Sequence, residues 1–453
     1  IYSYFHIFFN KINFFVEELN QGYNLIENKR LDILELTTIL LILASFFSIV
    51  NLRFLKLPMT IGLMILAIAL SIVILIFGFF FPTFLDIAYT ITESFDFNFM
   101  LMNVMLPFLL FAGAMSINVH ILRKDKLTIL LLASFGVLFS TYVVGSLTYY
   151  LLNAPMFGLS SLEITYLDCL LFGSLIAPTD PIAVLSIIKR MKLSLVTETR
   201  IAGESLFNDG IGVVVFLTLL GAKTTGTEVT INSVGVLFFT EVIGGLALGA
   251  IVGYFGLKLV RYIENEHVEL EVLITLALVL FVSVIATRYH LSGPLGVVIL
   301  GLYLNKHIKE KDGNGDSELA MGDYVYKFWH LLDETLNAIL FILIGLEIIL
   351  IFDSFNLVYL ALSVITIVLV VLSRYIGVSV PIVFLSKFRD FEENTAKIIT
   401  WGGLRGGLSI ALALNLPDDM GDVKSLILIL TYAVVLFTIL VQGLTMEKIV
   451  NKK

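Results

Sequence analysis

Glu204, Ser205, Asn208 and Asp209 stand together in the run Gly203-Glu-Ser-Leu-Phe-Asn-Asp-Gly210. On a helix turning 100° per residue they fall at about 0°, 100°, 40° and 140°, so all four share one face. The flanking residues are apolar, which places this polar face at bilayer depth, where a charge costs about 2.5–3.5 kcal/mol on insertion scales. Ser205 and Asn208 suit interhelical hydrogen bonding used as packing. Two carboxylates fit that use poorly. A carboxylate in a poorly solvated pocket can hold a proton or a metal cation, and competition between the two at one site is enough for exchange.

A second run, Ala177-Pro-Thr-Asp-Pro181, interrupts another apolar stretch. Each proline removes a backbone donor and crowds the preceding turn. Thr179 and Asp180 are therefore expected in an unwound segment whose freed carbonyls coordinate a cation, next to the partial positive charge of a resuming half-helix. A plain proline kink capped by Asp180 is compatible with the same role. Arg374 lies in Val371-Leu-Ser-Arg-Tyr-Ile-Gly377 and Arg405 in Trp401-Gly-Gly-Leu-Arg-Gly-Gly407. The glycines around Arg405 predict a second interrupted helix, matching the first if the chain is two inverted halves. An oxygen-only set of Asp209, Ser205 and backbone carbonyls suits hard cations such as Na+ or Li+.

The elements that must hold these residues are membrane spans. The chain is 58% hydrophobic and 15% charged, with mean hydropathy +0.97, against about 25% charged residues in soluble domains. Hydropathy places about thirteen transmembrane helices, at 33–51, 58–81, 99–116, 122–152, 163–190, 198–222, 230–262, 268–288, 292–306, 325–351, 357–386, 393–415 and 423–446. Basic residues cluster in every second connection, as at Arg123, Lys124 and Lys126 or Lys387, Arg389 and Lys397. That bias puts the C-terminus in the cytoplasm and the N-terminus outside, in a multi-pass protein of the plasma or inner membrane.

Residues 1–32 read as a lead-in at the interface, without the basic leader of a signal peptide. Residues 447–453 read as a short cytoplasmic tail with no soluble domain after it. The loop Asp312-Gly-Asn-Gly-Asp316 has a calcium-loop outline, but Ser317 stands where the turn needs glycine, so a solvated turn is expected. Asp168, Glu241, Glu347, Asp333 and Glu334 fall near span ends and are expected to line a funnel or snorkel rather than bind the ion directly. Cys169 is alone, leaving no disulfide or cysteine-based metal site. The net charge of -8 argues against nucleic acid. The six histidines form no metalloprotease spacing, and no GxSxG or P-loop is present, so neither enzyme activity nor a resident cofactor is expected.

The runs Ala177–Pro181, Gly203–Gly210 and Gly402–Gly407 resemble the signature segments of NhaP-type sodium/proton antiporters and eukaryotic sodium/proton exchangers, and the likeness runs from about residue 33 to 446. It implies an all-α NhaA-like antiporter fold whose fifth and twelfth spans are discontinuous and cross. It also implies a homodimer embedded in lipid, with core helices at about 99–222 and 325–446 and the remaining spans as scaffold within 33–446. By the same resemblance, Asp209 is the cation- and proton-binding carboxylate, with Ser205 and the Thr179 backbone as accessory ligands. Asn208 and Asp180 steady the crossing, Arg405 supports it, and Glu204 with Arg374 forms a buried ion pair. Ala112 departs from the pattern, since many relatives carry an acid there, and a water-mediated ligand from the third span is not expected. The function expected is Na+/H+ or Li+/H+ exchange, one cation per proton. Alternatives are K+/H+ exchange or a cation channel.

Overall fold

The computed structural model describes residues 33–82, 97–159, 162–181, 193–225, 231–262, 268–312, 321–351 and 356–450, with Leu85, Ala88, Tyr89, Val184, Leu185 and Ile188. The lead-in at 1–32, the glycines of the 312–316 loop and the last three residues lie outside them.

In lipid each backbone donor and acceptor must be satisfied within its own segment, which leaves helices as the means of crossing for apolar runs of this length. Among the described residues nine helices are long and apolar enough to cross a membrane, and Tyr166–Ile176 and Gly293–Asn305 are shorter apolar ones. In chain order the helices are α1 (Ile33–Val50), α2 (Met59–Phe80), α3 (Leu106–Ser116), α4 (Val119–Lys124), α5 (Lys126–Leu152), α6 (Tyr166–Ile176), α7 (Leu195–Thr225), α8 (Ile231–Tyr262), α9 (Val268–Arg288), α10 (Gly293–Asp312), α11 (Met321–Leu346), α12 (Ile348–Ile351), α13 (Leu357–Leu385), α14 (Thr395–Trp401), α15 (Gly407–Leu414), α16 (Asp422–Phe437) and α17 (Gly443–Val450). Helix is found within each of the thirteen expected spans, so the all-helical reading stands.

Three spans contain π-helical turns that hydropathy does not announce: Asn51–Leu55 after α1, Met100–Met105 before α3 and Thr438–Gln442 between α16 and α17. Such turns shift the helix register by one residue and free a carbonyl locally.

The chain divides into two compact units, residues 1–97 with 341–353, and residues 98–340 with 354–453. In the first, Asn51 ties the turn between α1 and α2 by donating to the Leu57 carbonyl at 3.1 Å and accepting from the Leu57 N–H at 3.3 Å. Ser71 of α2 donates to the Gly345 carbonyl at 2.8 Å.

In the second unit small residues let helices approach closely, as packing without a hydrophobic drive requires. A side chain at Gly173 of α6 would collide with the Thr141 carbonyl of α5, and one at Gly249 of α8 with the Gly296 carbonyl of α10. Asn305 of α10 donates to the carbonyls of Ala114 and Ile117, each at 2.8 Å, fixing the end of α3. Near the N-termini of α5 and α7, Arg200 forms a buried ion pair with Asp125 and also donates to the Asp390 carbonyl at 3.2 Å. At the start of α6, Thr165 and Asp168 make a reciprocal capping box, and Lys223 of α7 pairs with Asp168. Asp168 thus anchors a helix end instead of lining a funnel.

Candidate functional site

Helix α6 ends at Ile176, and backbone hydrogen bonding resumes where the Leu185 N–H donates to the Pro181 carbonyl at 2.7 Å. Pro178 and Pro181 explain the gap, since neither carries an N–H to continue the ladder. The second gap, Gly402–Gly406, separates α14 from α15. The two unwound stretches meet in an isolated antiparallel bridge, the Asp180 N–H donating to the Leu404 carbonyl at 2.7 Å.

Arg405 fills the crossing. Its guanidinium donates to the carbonyls of Ala177 and Pro178, the latter at 2.8 Å, acceptors that the prolines leave without helical donors. Its own N–H donates to Thr438 Oγ1 at 3.0 Å, so the π-helical turn of the last span supplies an acceptor to the broken helix. Arg405 is 1% exposed, which makes these contacts obligatory in so dry a place.

Helix α7 presents its polar face to this crossing. Asn208 accepts from the Thr179 N–H at 3.1 Å and donates to both Thr179 Oγ1 and Glu204 Oε1 at 2.7 Å. Ser205 Oγ donates to the Thr179 carbonyl. Glu204 receives the Arg374 guanidinium of α13 as a fork, with distances of 2.8 and 2.7 Å. Glu204, Ser205, Asn208, Thr179 and Arg374 are all buried. Thr179 is thereby held at its N–H, hydroxyl and carbonyl.

Asp209 differs from its neighbours on the same face. It is half-buried, and among the described residues it makes no hydrogen bond or ion pair. The charges that act on it are Asp180 and Glu204, of its own sign, and Arg405, of the opposite sign. It lines a cavity of about 120 Å³ together with Ser205, Asp180, Pro178 and Gly406. The α3 wall of that cavity is Leu106, Leu109, Leu110, Gly113 and Ser116, and Ala112 is buried in the same helix. The cavity also carries Asp333 and Asn337 of α11 and Ser409 of α15. Counting from the sequence placed Asp333 at a span end and passed over Asn337. Their separation of four residues, which stacks them on one helix face, was the signal available.

The eight residues singled out from the sequence thus fall in one neighbourhood, linked by the contacts above or by the shared cavity. Within it the carboxylate of Glu204, the terminal nitrogens of Arg374, the amide of Asn208, the hydroxyl of Thr179 and Nη1 of Arg405 are engaged with one another and with the backbone. Asp209 is left with oxygens facing open space, able to take a proton or a cation.

Comparison with known proteins identifies the family and the fold. The model of a family described as "Sodium/hydrogen exchanger, transmembrane" matches residues 41–452. The chain is 41% identical to the Na(+)/H(+) antiporter NhaP of Pseudomonas aeruginosa over 435 residues, 92% of this chain and 96% of the relative. It is 32% identical to the Na(+)/H(+) antiporter NhaH of Halobacillus dabanensis over 419 residues, 91% of this chain and 96% of the relative. Among solved structures, the sodium proton antiporter MjNhaP1 of Methanocaldococcus jannaschii at pH 8 superposes with a TM-score of 0.71 at 18% identity, covering 92% of this chain and 97% of that one, a likeness of fold.

Proposed function

The chain belongs to the sodium/hydrogen exchanger family, and from that membership we propose that it exchanges Na+ or Li+ for H+ across a membrane, with both ions competing for Asp209. The observation that carries this reading is the contrast within α7. Glu204 is consumed by Arg374 and Asn208, whereas Asp209 faces the cavity with no hydrogen bond or ion pair among the described residues.

Exchange follows from charge. An empty Asp209 carries an uncompensated negative charge, and moving it past lipid costs about 2.5–3.5 kcal/mol, so the empty site is held back. A proton or a monovalent cation removes that penalty, and only the occupied site crosses. Ser205 Oγ and Asp180 line the same cavity and supply further oxygens for a hard cation. Arg374 keeps Glu204 in the ion pair and Asn208 adds no second acid, so the cycle is one cation per proton and electroneutral.

Alternating access moves the Asp180–Leu404 crossing and its half-helices relative to the scaffold spans. We take the cavity to open to the cytoplasm, since its lining reaches Ser116 and Ile117, close in the chain to Arg123, Lys124 and Lys126, which the basic-residue bias puts inside. The protein works as a homodimer in the plasma or inner membrane, with its C-terminus inside.

Purified protein in liposomes with an imposed pH gradient provides the test. Addition of Na+ or Li+ should collapse the gradient and K+ should not, with Asp209→Asn inert. Collapse by none of the three ions would remove the exchange reading, and ion current without proton flux would make the protein a channel.

A further inference from the structure

The cavity that ends on Asp209 is walled mainly by leucines and other apolar residues, yet two buried oxygens in it lack hydrogen-bond partners among the described residues: Asn337 Oδ1 and Ser409 Oγ. Both residues are 1% exposed. The Asn337 amide is not reversible. Its Nδ2 donates to the Asp333 carbonyl at 2.8 Å and to Asp333 Oδ1 at 3.0 Å, two acceptors that require the NH2 on that side. Oδ1 is therefore fixed as an acceptor with nothing to accept. An acceptor left so in a dry place is costly, and such groups call for an explanation.

Building on the exchange reading, we propose that the Asp333 carboxylate and Asn337 Oδ1 form a second station for the transported cation, on the cavity wall, occupied before the ion reaches Asp209. The two side chains sit one helical turn apart on α11, so one supplies charge and the other a neutral oxygen on the same face. A partly dehydrated Na+ or Li+ needs several oxygens at once, and away from Asp209, Ser205 and Asp180 the cavity offers few. Asp333 is half-buried, which keeps it in reach of solvent while its neighbour is dry. Ser409 Oγ, from the half-helix beyond the crossing, is a further oxygen in the same space. The station raises the local concentration of cation without itself being the group that exchanges it for a proton.

A loading station has a kinetic signature that a packing role lacks. It is used by cations entering from the cavity side and not by those entering from the other. In proteoliposomes, Asp333→Asn and Asn337→Leu should each raise the KM for Na+ presented to the cavity side by about tenfold, the loss expected for one charge-assisted contact. The maximal rate, and the KM for Na+ presented to the opposite side, should stay within about twofold of the parent. Asp333→Asn keeps the shape and the helix, so it serves if the leucine variant does not fold. An unchanged cavity-side KM in Asp333→Asn, or equal KM shifts on both sides, overturns the station while leaving exchange at Asp209 intact. Absence of Na+-driven proton flux in the parent protein overturns both.

Discussion

The Asp180 N–H reaches the Leu404 carbonyl across 2.7 Å, and through that bond two helices broken far apart in the chain complete each other. Unwound backbone inside a membrane must find partners in the protein. Here Leu404 accepts from Asp180, Arg405 covers the Ala177 and Pro178 carbonyls, and Thr438 accepts from Arg405. The crossing is polar, closed on itself, and next to Asp209.

A side chain has no room beside that bridge. A Cβ at Gly406 would lie 2.6 Å from Asp180 Oδ2 and 2.8 Å from Asp180 Cβ. Gly406→Ala should displace Asp180 and lower stability by about 1–3 kcal/mol, the usual range for overpacking. Thermal unfolding in detergent together with Na+-driven proton flux would show it. An alanine variant equal to the parent in both would mean the crossing yields at no cost.

Replacement of Arg405 separates charge from geometry. Arg405→Lys keeps a cation but loses the rigid planar guanidinium whose Nη1 donates to both the Ala177 and Pro178 carbonyls. Arg405→Met loses both, leaving buried acceptors unmet at about 1–3 kcal/mol each. Melting temperatures should fall in the order parent, lysine variant, methionine variant. A lysine variant as stable as the parent would show that charge alone holds the crossing.

Much of this was legible in the residues, for identifiable reasons. Pro178, Pro181 and the glycines around Arg405 advertise broken helices because they act on the backbone directly. The α7 face is legible because helical spacing fixes which side chains share it. Partners are another matter. Nothing in local pattern says that Arg405 seeks the Ala177 carbonyl or that Thr438 accepts from Arg405, since both contacts bridge long separations. The π-helical turns were silent, because hydropathy averages over the one extra residue. Asp333, expected to line a funnel, does line the cavity, but distance from a span end does not say how deep that cavity penetrates. Asp125 stands between the basic residues Lys124 and Lys126, and nothing in that run says that Arg200 draws it inside.

The Glu204–Arg374 pair should show strong coupling. Both side chains are buried, 6% exposed for Arg374 and 2% for Glu204, with fork geometry. Removing one partner leaves a buried charge and costs about 3–5 kcal/mol, whereas removing both is often nearly neutral. Arg374→Met should therefore destabilise severely, and Glu204→Gln with Arg374→Met should recover much of the loss. A double-mutant cycle on unfolding free energies measures the coupling. Additive effects would show that the pair contributes packing and no more.

Stoichiometry turns on residue 208. Asn208 donates from one amide nitrogen to Glu204 and Thr179 while its oxygen accepts from the Thr179 N–H, so the side chain uses both ends of its amide. Asn208→Asp keeps the acceptor but replaces the donor with an oxygen that faces Glu204, and that contact is tolerable only if a proton is shared between them. The substitution thus brings a second titratable group onto the face that holds Asp209. If transport in the parent is one cation for one proton because Asp209 alone changes occupancy, the variant should carry unequal charge and respond to an imposed membrane potential, at a reduced rate because the Thr179 contact is weakened. Clamping the potential of proteoliposomes at several values and measuring initial rates of Na+-driven proton flux decides the matter. Rates that stay flat with voltage in both proteins would mean that residue 208 does not set the charge carried per cycle, and the electroneutral account would have to rest on another group in the cavity.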